Sequence, residues 1–328
     1  MPVTLSTHRQ TMDDQPGCPD PQVPATIFTP HRRTQALVLL ACIVCVLLYW
    51  WGARATGVPP ERGFQGSLLQ QPGWPLAIVT TYLILVCAAA LATLIAGRSW
   101  FFSGPFAATI GLMALSIRGG PMRYVLFDAA AHGAAQRVFL RLLVEQCLLF
   151  FAIALLWWFF WSRYQVSLPP PDPLKKKAHD LSAVVLALAA QTIIFAVVVL
   201  LLTPTDAKKQ ALVSLFIAGW ASTALAEYFF PDAQAPGWYW MGPFFVGAVG
   251  YLLAYFNAQP WTDGSPLGTL ANLARPLPLD YASAAVAGAL LGYWTSGQRP
   301  HVAFSLGGGR ATTAPDSPGP SGNGDPRG

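Results

Sequence analysis

Charge is what this 328-residue chain has least of: Asp, Glu, Lys and Arg make up 11% of it, against about 25% in soluble domains. The shortage excludes an ordinary water-soluble fold, because the apolar residues, 54% of the total, come in long blocks. No polar stretch reaches the roughly 50 residues that a small domain needs, so any activity has to sit within or just above a bilayer. Cysteine is scarce and odd in number: Cys42, Cys45, Cys87 and Cys147 fall in apolar blocks and Cys18 in a polar stretch, which implies no disulfide framework. Histidine is missing from the apolar blocks; His8, His31, His132, His179 and His301 lie between them. No haem ligand pair exists at helical depth, and the Cys42–Cys45 CxxC falls short of the four ligands of a structural metal site. That pair reads as packing. No metal, cofactor or nucleic acid is expected, and the net charge of +5, set by residues between the apolar blocks, speaks for membrane lipids as partners.

What is there is a series of eight apolar segments: 35–51, 74–96, 100–117, 142–161, 181–202, 209–230, 238–256 and 281–295. At about 20 residues per crossing, the second, fifth and sixth span comfortably, and the third and eighth are short. The fold class expected is all-α, a polytopic integral membrane protein of about eight transmembrane helices. Ala53-Arg54-Ala55 resembles a signal-peptide cleavage site, but the preceding run exceeds the usual h-region of about 7 to 15 residues, so the segment is kept as a helix. Residues 1–33 are polar and rich in Pro and Asp, and 300–328 in Gly, Pro and Ser. Both compositions are those of disordered tails.

A duplication organises the segments. Trp100-Phe101-Phe102-Ser103-Gly104-Pro105-Phe106 opens the third and Trp238-Tyr239-Trp240-Met241-Gly242-Pro243-Phe244 the seventh, 138 residues apart. Ala90-Leu91-Ala92 recurs as Ala224-Leu225-Ala226 and Ala154-Leu155-Leu156 as Ala289-Leu290-Leu291, at spacings of 134 and 135 and in the same order. Chance is the competing explanation, since Ala-Leu triplets are cheap in apolar sequence. The duplication predicts two four-helix units, 34–163 and 179–299, joined by a basic linker at 164–178 that contains Lys175, Lys176 and Lys177. Four helices per unit is an even number, so the repeats are parallel and both chain ends lie on one side. With those ends cytoplasmic, 11 basic residues lie inside and nine outside. That is a weak positive-inside signal for a protein expected in the plasma (inner) membrane.

Between the third and fourth segments stands Ser116-Ile117-Arg118-Gly119-Gly120-Pro121-Met122-Arg123. Glycines and a proline between two arginines end a helix at the interface, where Arg118 and Arg123 act as anchors with snorkelling stems. A phosphate cradle would want glycines opening a helix after a strand. From Tyr124 to Glu145, Asp128, His132 and Gln136 fall on one helical stripe, and Arg137, Arg141 and Glu145 on another. An Asp-oriented His132 is a conceivable general base, but no nucleophile stands in register with it, so an interfacial helix with paired surface charges is the expectation.

Within the apolar segments, Glu227 is the ionisable residue singled out, at the end of its segment beside Tyr228; charge in hydrocarbon is functional by default. Gln191 is the deepest strongly polar side chain and reads as an interhelical hydrogen-bonding group. Trp157, Trp158 and Trp161, like Trp50, Trp74 and Trp238, stand at segment ends as an interfacial belt, with an aromatic cage for a choline-like cation as the sharper alternative. Gly288 and Gly292 form a GxxxG face for close packing within the bundle or between subunits. With no catalytic constellation, the expectation is a non-enzymatic membrane scaffold or assembly component, with a membrane-protein partner or a second copy of itself. A permease with a cavity between the two units comes second, and an intramembrane enzyme around His132 last.

Overall fold

The computed structural model describes residues 32–52, 67–71, 73–96, 103–131, 135–167, 181–205, 207–230, 238–257 and 271–296. Of the expected tail 1–33 and linker 164–178, Arg32 and Arg33 belong to α1 and 164–167 to α5, and the rest, with the tail 300–328, Trp100 and His132, lies outside the described residues. The described chain is helical: α1 Arg32–Gly52, α2 Trp74–Ala96, α3 Ser103–Arg118, α4 Met122–Ala131, α5 Ala135–Ser167, α6 Leu181–Leu202, α7 Lys208–Phe229, α8 Met241–Phe256, a 3-10 turn Asn272–Ala274, α9 Pro278–Asp280, a π turn Tyr281–Ala285 and α10 Val286–Ser296. Five helices (α1, α2, α5, α6 and α7) are long and apolar enough to cross a membrane. The chain is therefore an all-helical, membrane-embedded protein.

The helices are turned outward in the way lipid requires. In α6 a single i, i+4 stripe, Ala187, Gln191, Phe195 and Val199, is buried, while Val185, Leu186, Ile193, Val197 and Leu201 are exposed. Aliphatic side chains over most of the surface, with one narrow stripe that includes Ala187 and Gln191 turned inward, are the pattern of a helix solvated largely by hydrocarbon. Helices α1, α2 and α3 pack against one another, α6 against α7 and α8, α5 against α8, and α10 against α7 and α3. Close approach comes from glycine. A Cβ on Gly219 would overlap the Ala285 carbonyl, one on Gly288 the Phe216 carbonyl, and one on Gly292 the Trp220 carbonyl. Helices α7 and α10 thus meet backbone to backbone, and the Gly288/Gly292 face is spent inside the chain.

Two expectations about the middle of the chain are corrected. The polar stretch from Tyr124 to Glu145 is not one interfacial helix: α4, described to Ala131, packs against α5, described from Ala135, which places Asp128 and Gln136 on different helices. Helix α4 lays Met122, Val125, Leu126 and Ala129 against Val138, Phe139 and Leu142 of α5 and Tyr251 and Ala254 of α8. Nor is Glu145 a surface charge. Arg137 and Arg141 are exposed, but Glu145 is buried, because α5 runs for 33 residues, about 50 Å at 1.5 Å per residue. Its first turns reach beyond a hydrocarbon core of roughly 30 Å, and Glu145 lies where the other helices close over it.

Candidate functional site

The sequence places a breaker, Ser116 to Arg123, at the end of α3, and the structure uses it twice. Arg118 donates from Nη1 to the Trp50 carbonyl at 2.7 Å and lies over the Trp50 ring, 4.5 Å from its centroid, tying the ends of α3 and α1 together. Arg123 is exposed, as is Asp128. Ser116, two residues before Arg118, is fully buried and donates to Asp280 Oδ1.

Asp280 is the centre of this end of the bundle. Leu277-Pro278-Leu279-Asp280 starts a helix with proline in its first turn, where the missing N–H costs nothing. The Asp280 carboxylate reaches back so that the Leu277 N–H donates to Oδ2 at 2.9 Å, half of a capping box. The other oxygen, Oδ1, accepts from Ser116 and lies 2.5 Å from Nζ of Lys208, the first residue of α7. Asp280 is 1% exposed and Lys208 11%. Around them Tyr251 donates to the Pro276 carbonyl at 2.6 Å and Tyr281 to the Leu273 carbonyl at 2.7 Å, fixing the loop that delivers Asp280. The π turn at Tyr281–Ala285 follows at once, a departure from α geometry that often marks functional positions.

A second carboxylate joins from α5. Glu145, 1% exposed, accepts on Oε2 from the Ser67 hydroxyl and from the Leu69 N–H at 3.1 Å. The charge of Lys208 acts on it, and its own charge acts on Tyr251. Its other oxygen, Oε1, is buried and has no hydrogen-bond partner among the described residues. Five segments separated by up to about 200 residues of chain thus meet in one cluster: Ser67, Ser116, Glu145, Lys208 and Asp280.

At the other end of the bundle lies a neutral network. Gln191 is fully buried and donates from Nε2 to Thr223 Oγ1 at 3.0 Å and to the Tyr239 carbonyl at 2.7 Å; its side chain fills the notch left by Gly242. Glu227 is half-buried, with the Tyr239 hydroxyl as its neighbour. Gln146 is seated in the same manner over Gly247, donating to the Phe244 carbonyl at 2.8 Å. Helix α8 is therefore gripped by two glutamines at two of its glycines. Because Gln191 serves two acceptors at full burial and Glu227 is only partly buried near the end of α7, Gln191→Leu is expected to lower stability by about 1 to 2 kcal/mol and Glu227→Gln by less. Denaturation in mixed micelles compares the two, and equal losses would contradict the assignment.

Of the aromatic residues expected in the interfacial belt, Trp158 is exposed and Trp157 is buried in the main core, while the side chain of Trp161 lies outside the described residues. Among the described residues no group of three or more His, Cys, Asp or Glu is placed to hold a metal ion. Glu227 and Gln191 stand out in the sequence as polar groups within apolar segments, but Glu145, Lys208 and Asp280 do not stand out there as buried charges. A signal for Asp280 existed: Pro278 and Asp280, two residues apart, ahead of an apolar run. Glu145 sits one residue from Gln146 in a segment otherwise rich in Leu and Phe, but nothing local says which face it takes. No protein-family model, curated protein or solved structure matches this chain.

Proposed function

We propose that the chain is a membrane carrier that crosses the bilayer eight times, on α1, α2, α3, α5, α6, α7, α8 and the α9–α10 helix, with both ends on the same face. One observation carries this reading: two carboxylates and one ammonium, Glu145, Asp280 and Lys208, are buried together where α3, α5, α7 and α9 meet. Charge at such a place is costly and a purely structural bundle has no need of an unmatched one. This puts the permease ahead of the scaffold. Helix directions support the parallel duplication beneath it. Phe106 stacks edge-on with Trp294 while Ser116 bonds Asp280, so α3 opposes α10. The Trp220 to Thr295 bond and the seating of Gly288 on Phe216 make α10 parallel to α7, and Gln191–Thr223 with Leu202–Ser214 make α6 antiparallel to α7. Helix α8 follows α6, with Gly242 beside Gln191 and Gly250 beside Leu273, whose neighbour Asn272 bonds the Leu200 carbonyl. Helices α3 and α8, opened by the matching tryptophan motifs, then run the same way.

The scaffold reading keeps one observation in its favour, the filling of the seam around α3 by Ala107, Ala108, Leu112, Leu115, Ala282, Ala284 and Ala285. Two-sided access separates the two. In a chain whose own five cysteines are replaced, Ser67→Cys in sealed vesicles is expected to react with a membrane-impermeant maleimide added to either side, as alternating access requires. Labelling from one side alone would leave a scaffold.

A further inference from the structure

We propose that Glu145 is a binding site for a single exchangeable proton, taken up on Oε1. As the identity of a carried ion this rests on the carrier reading; as a proton site it does not.

The starting point is a charge count. Asp280 is matched: Lys208 lies 2.5 Å from Oδ1, Ser116 donates to the same oxygen and the Leu277 N–H to the other. With that pair closed, and with Arg275, five residues before Asp280, giving its guanidinium to the Thr203 and Pro204 carbonyls, Glu145 is the charge left over: Glu145, Asp280 and Lys208, all ionised, sum to one net negative charge inside a low-dielectric bundle. An unpaired buried carboxylate is strongly disfavoured. The groups that face it from its neighbours do not cancel it. Helix α7 contributes Lys208, already bound to Asp280; α8 contributes the Tyr251 hydroxyl, which donates to the Pro276 carbonyl; α9 contributes Asp280 itself; the π turn contributes Tyr281, which donates to the Leu273 carbonyl. Helix α3 offers the neutral Ser116, and α4 turns Arg123 and Asp128 outward.

The two oxygens of Glu145 are not equivalent. Ser67 and Leu69 both donate to Oε2, with the Leu68 N–H also acting on the carboxylate, and Oε1 is buried without a hydrogen-bond partner among the described residues. Oε1 is therefore where the ligand goes. A metal cation fits poorly, since hard cations collect several oxygen ligands and the Lys208 ammonium would repel one. A proton needs a single oxygen. In the uptake step a hydronium ion gives up one O–H bond, the proton forms a new O–H bond to Oε1, water is released, and the cluster goes from one net negative charge to none. Release is the reverse, and no redox change is involved.

Infrared difference spectroscopy of the full chain in lipid bilayers reads this directly, with bulk pH as the probe. The protein is expected to show a protonated-carboxyl C=O band that shifts in D2O and disappears as pH rises. The band should be absent in Glu145→Gln and unchanged in Asp128→Asn. Ser67→Ala removes one donor to the charged carboxylate and should move the midpoint toward higher pH by about one unit, given roughly 1.5 kcal/mol for such a bond and 1.36 kcal/mol per unit. If Glu145→Gln does not assemble, the Ser67→Ala shift decides alone. A band that survives Glu145→Gln, that does not respond to pH, or that ignores Ser67→Ala overturns the proposal. A titrating band without two-sided labelling of Ser67→Cys would leave the proton site standing and remove the carrier; the opposite pattern would do the reverse.

Discussion

Protein carrying Asp280→Ala is expected to lose about 3 to 5 kcal/mol of stability, the largest single effect in this chain. The substitution leaves the Lys208 ammonium, 11% exposed, without its direct partner and with only the Glu145 carboxylate of this cluster to act on it, the Ser116 hydroxyl without its acceptor, and the Leu277 N–H at the start of α9 without its cap. The magnitude comes mainly from the orphaned charge and not from the attraction that is lost, because a buried ion pair contributes little beyond its own desolvation. Removing both charges should therefore hurt less than removing one. Lys208→Met together with Asp280→Asn is expected to be more stable than Lys208→Met alone, since asparagine can still accept from Ser116 and Leu277 without demanding a cation. Unfolding of the four proteins in mixed micelles gives a double-mutant cycle. A coupling below about 0.5 kcal/mol, the range of independent sites, would mean that the two residues do not work as a pair.

The next largest effect belongs to a residue with no side chain. Gly288→Val is expected to cost up to about 3 kcal/mol, the upper end for overpacking, because a Cβ at this position would overlap the Phe216 carbonyl. Carbonyl oxygens of a neighbouring helix cannot rotate out of the way as a side chain can. Relief requires moving α7 off α10, which also separates Gly219 from Ala285 and breaks the hydrogen bond of 3.1 Å from Trp220 Nε1 to Thr295 Oγ1. Gly73 is the matched control: nothing lies within 4 Å of a Cβ built there, so Gly73→Ala should stay within about 0.5 kcal/mol. If Gly288→Val melted like Gly73→Ala in the same detergent, the backbone contact between α7 and α10 would be wrong.

Composition and the length of the apolar runs are sufficient to make this chain a helical membrane protein. Hydrocarbon admits no unpaired backbone, and runs of 22 and 23 residues such as α6 and α2 can satisfy theirs only as helices. Gln191 was legible for a related reason: a strongly polar side chain in mid-run must find an interhelical partner, whichever one that is. The close packing of Gly288 and Gly292 was legible as a pattern, although whether it served the bundle or a second subunit was decided by Phe216 and Trp220 lying on the other side. Glu145, Lys208 and Asp280 could not be read in this way. Each stands near the end of an apolar run, where a charge ordinarily reaches the aqueous interface, and local sequence is the same for a carboxylate facing water and one facing a lysine. What separates the two cases is the length by which α5 overshoots the bilayer, the turn at Pro278 that swings Asp280 inward, and the start of α7 beside both. Those are relations between segments far apart in the chain. The burial of a charge is set by the sum of its neighbours, and only the tertiary structure assembles them.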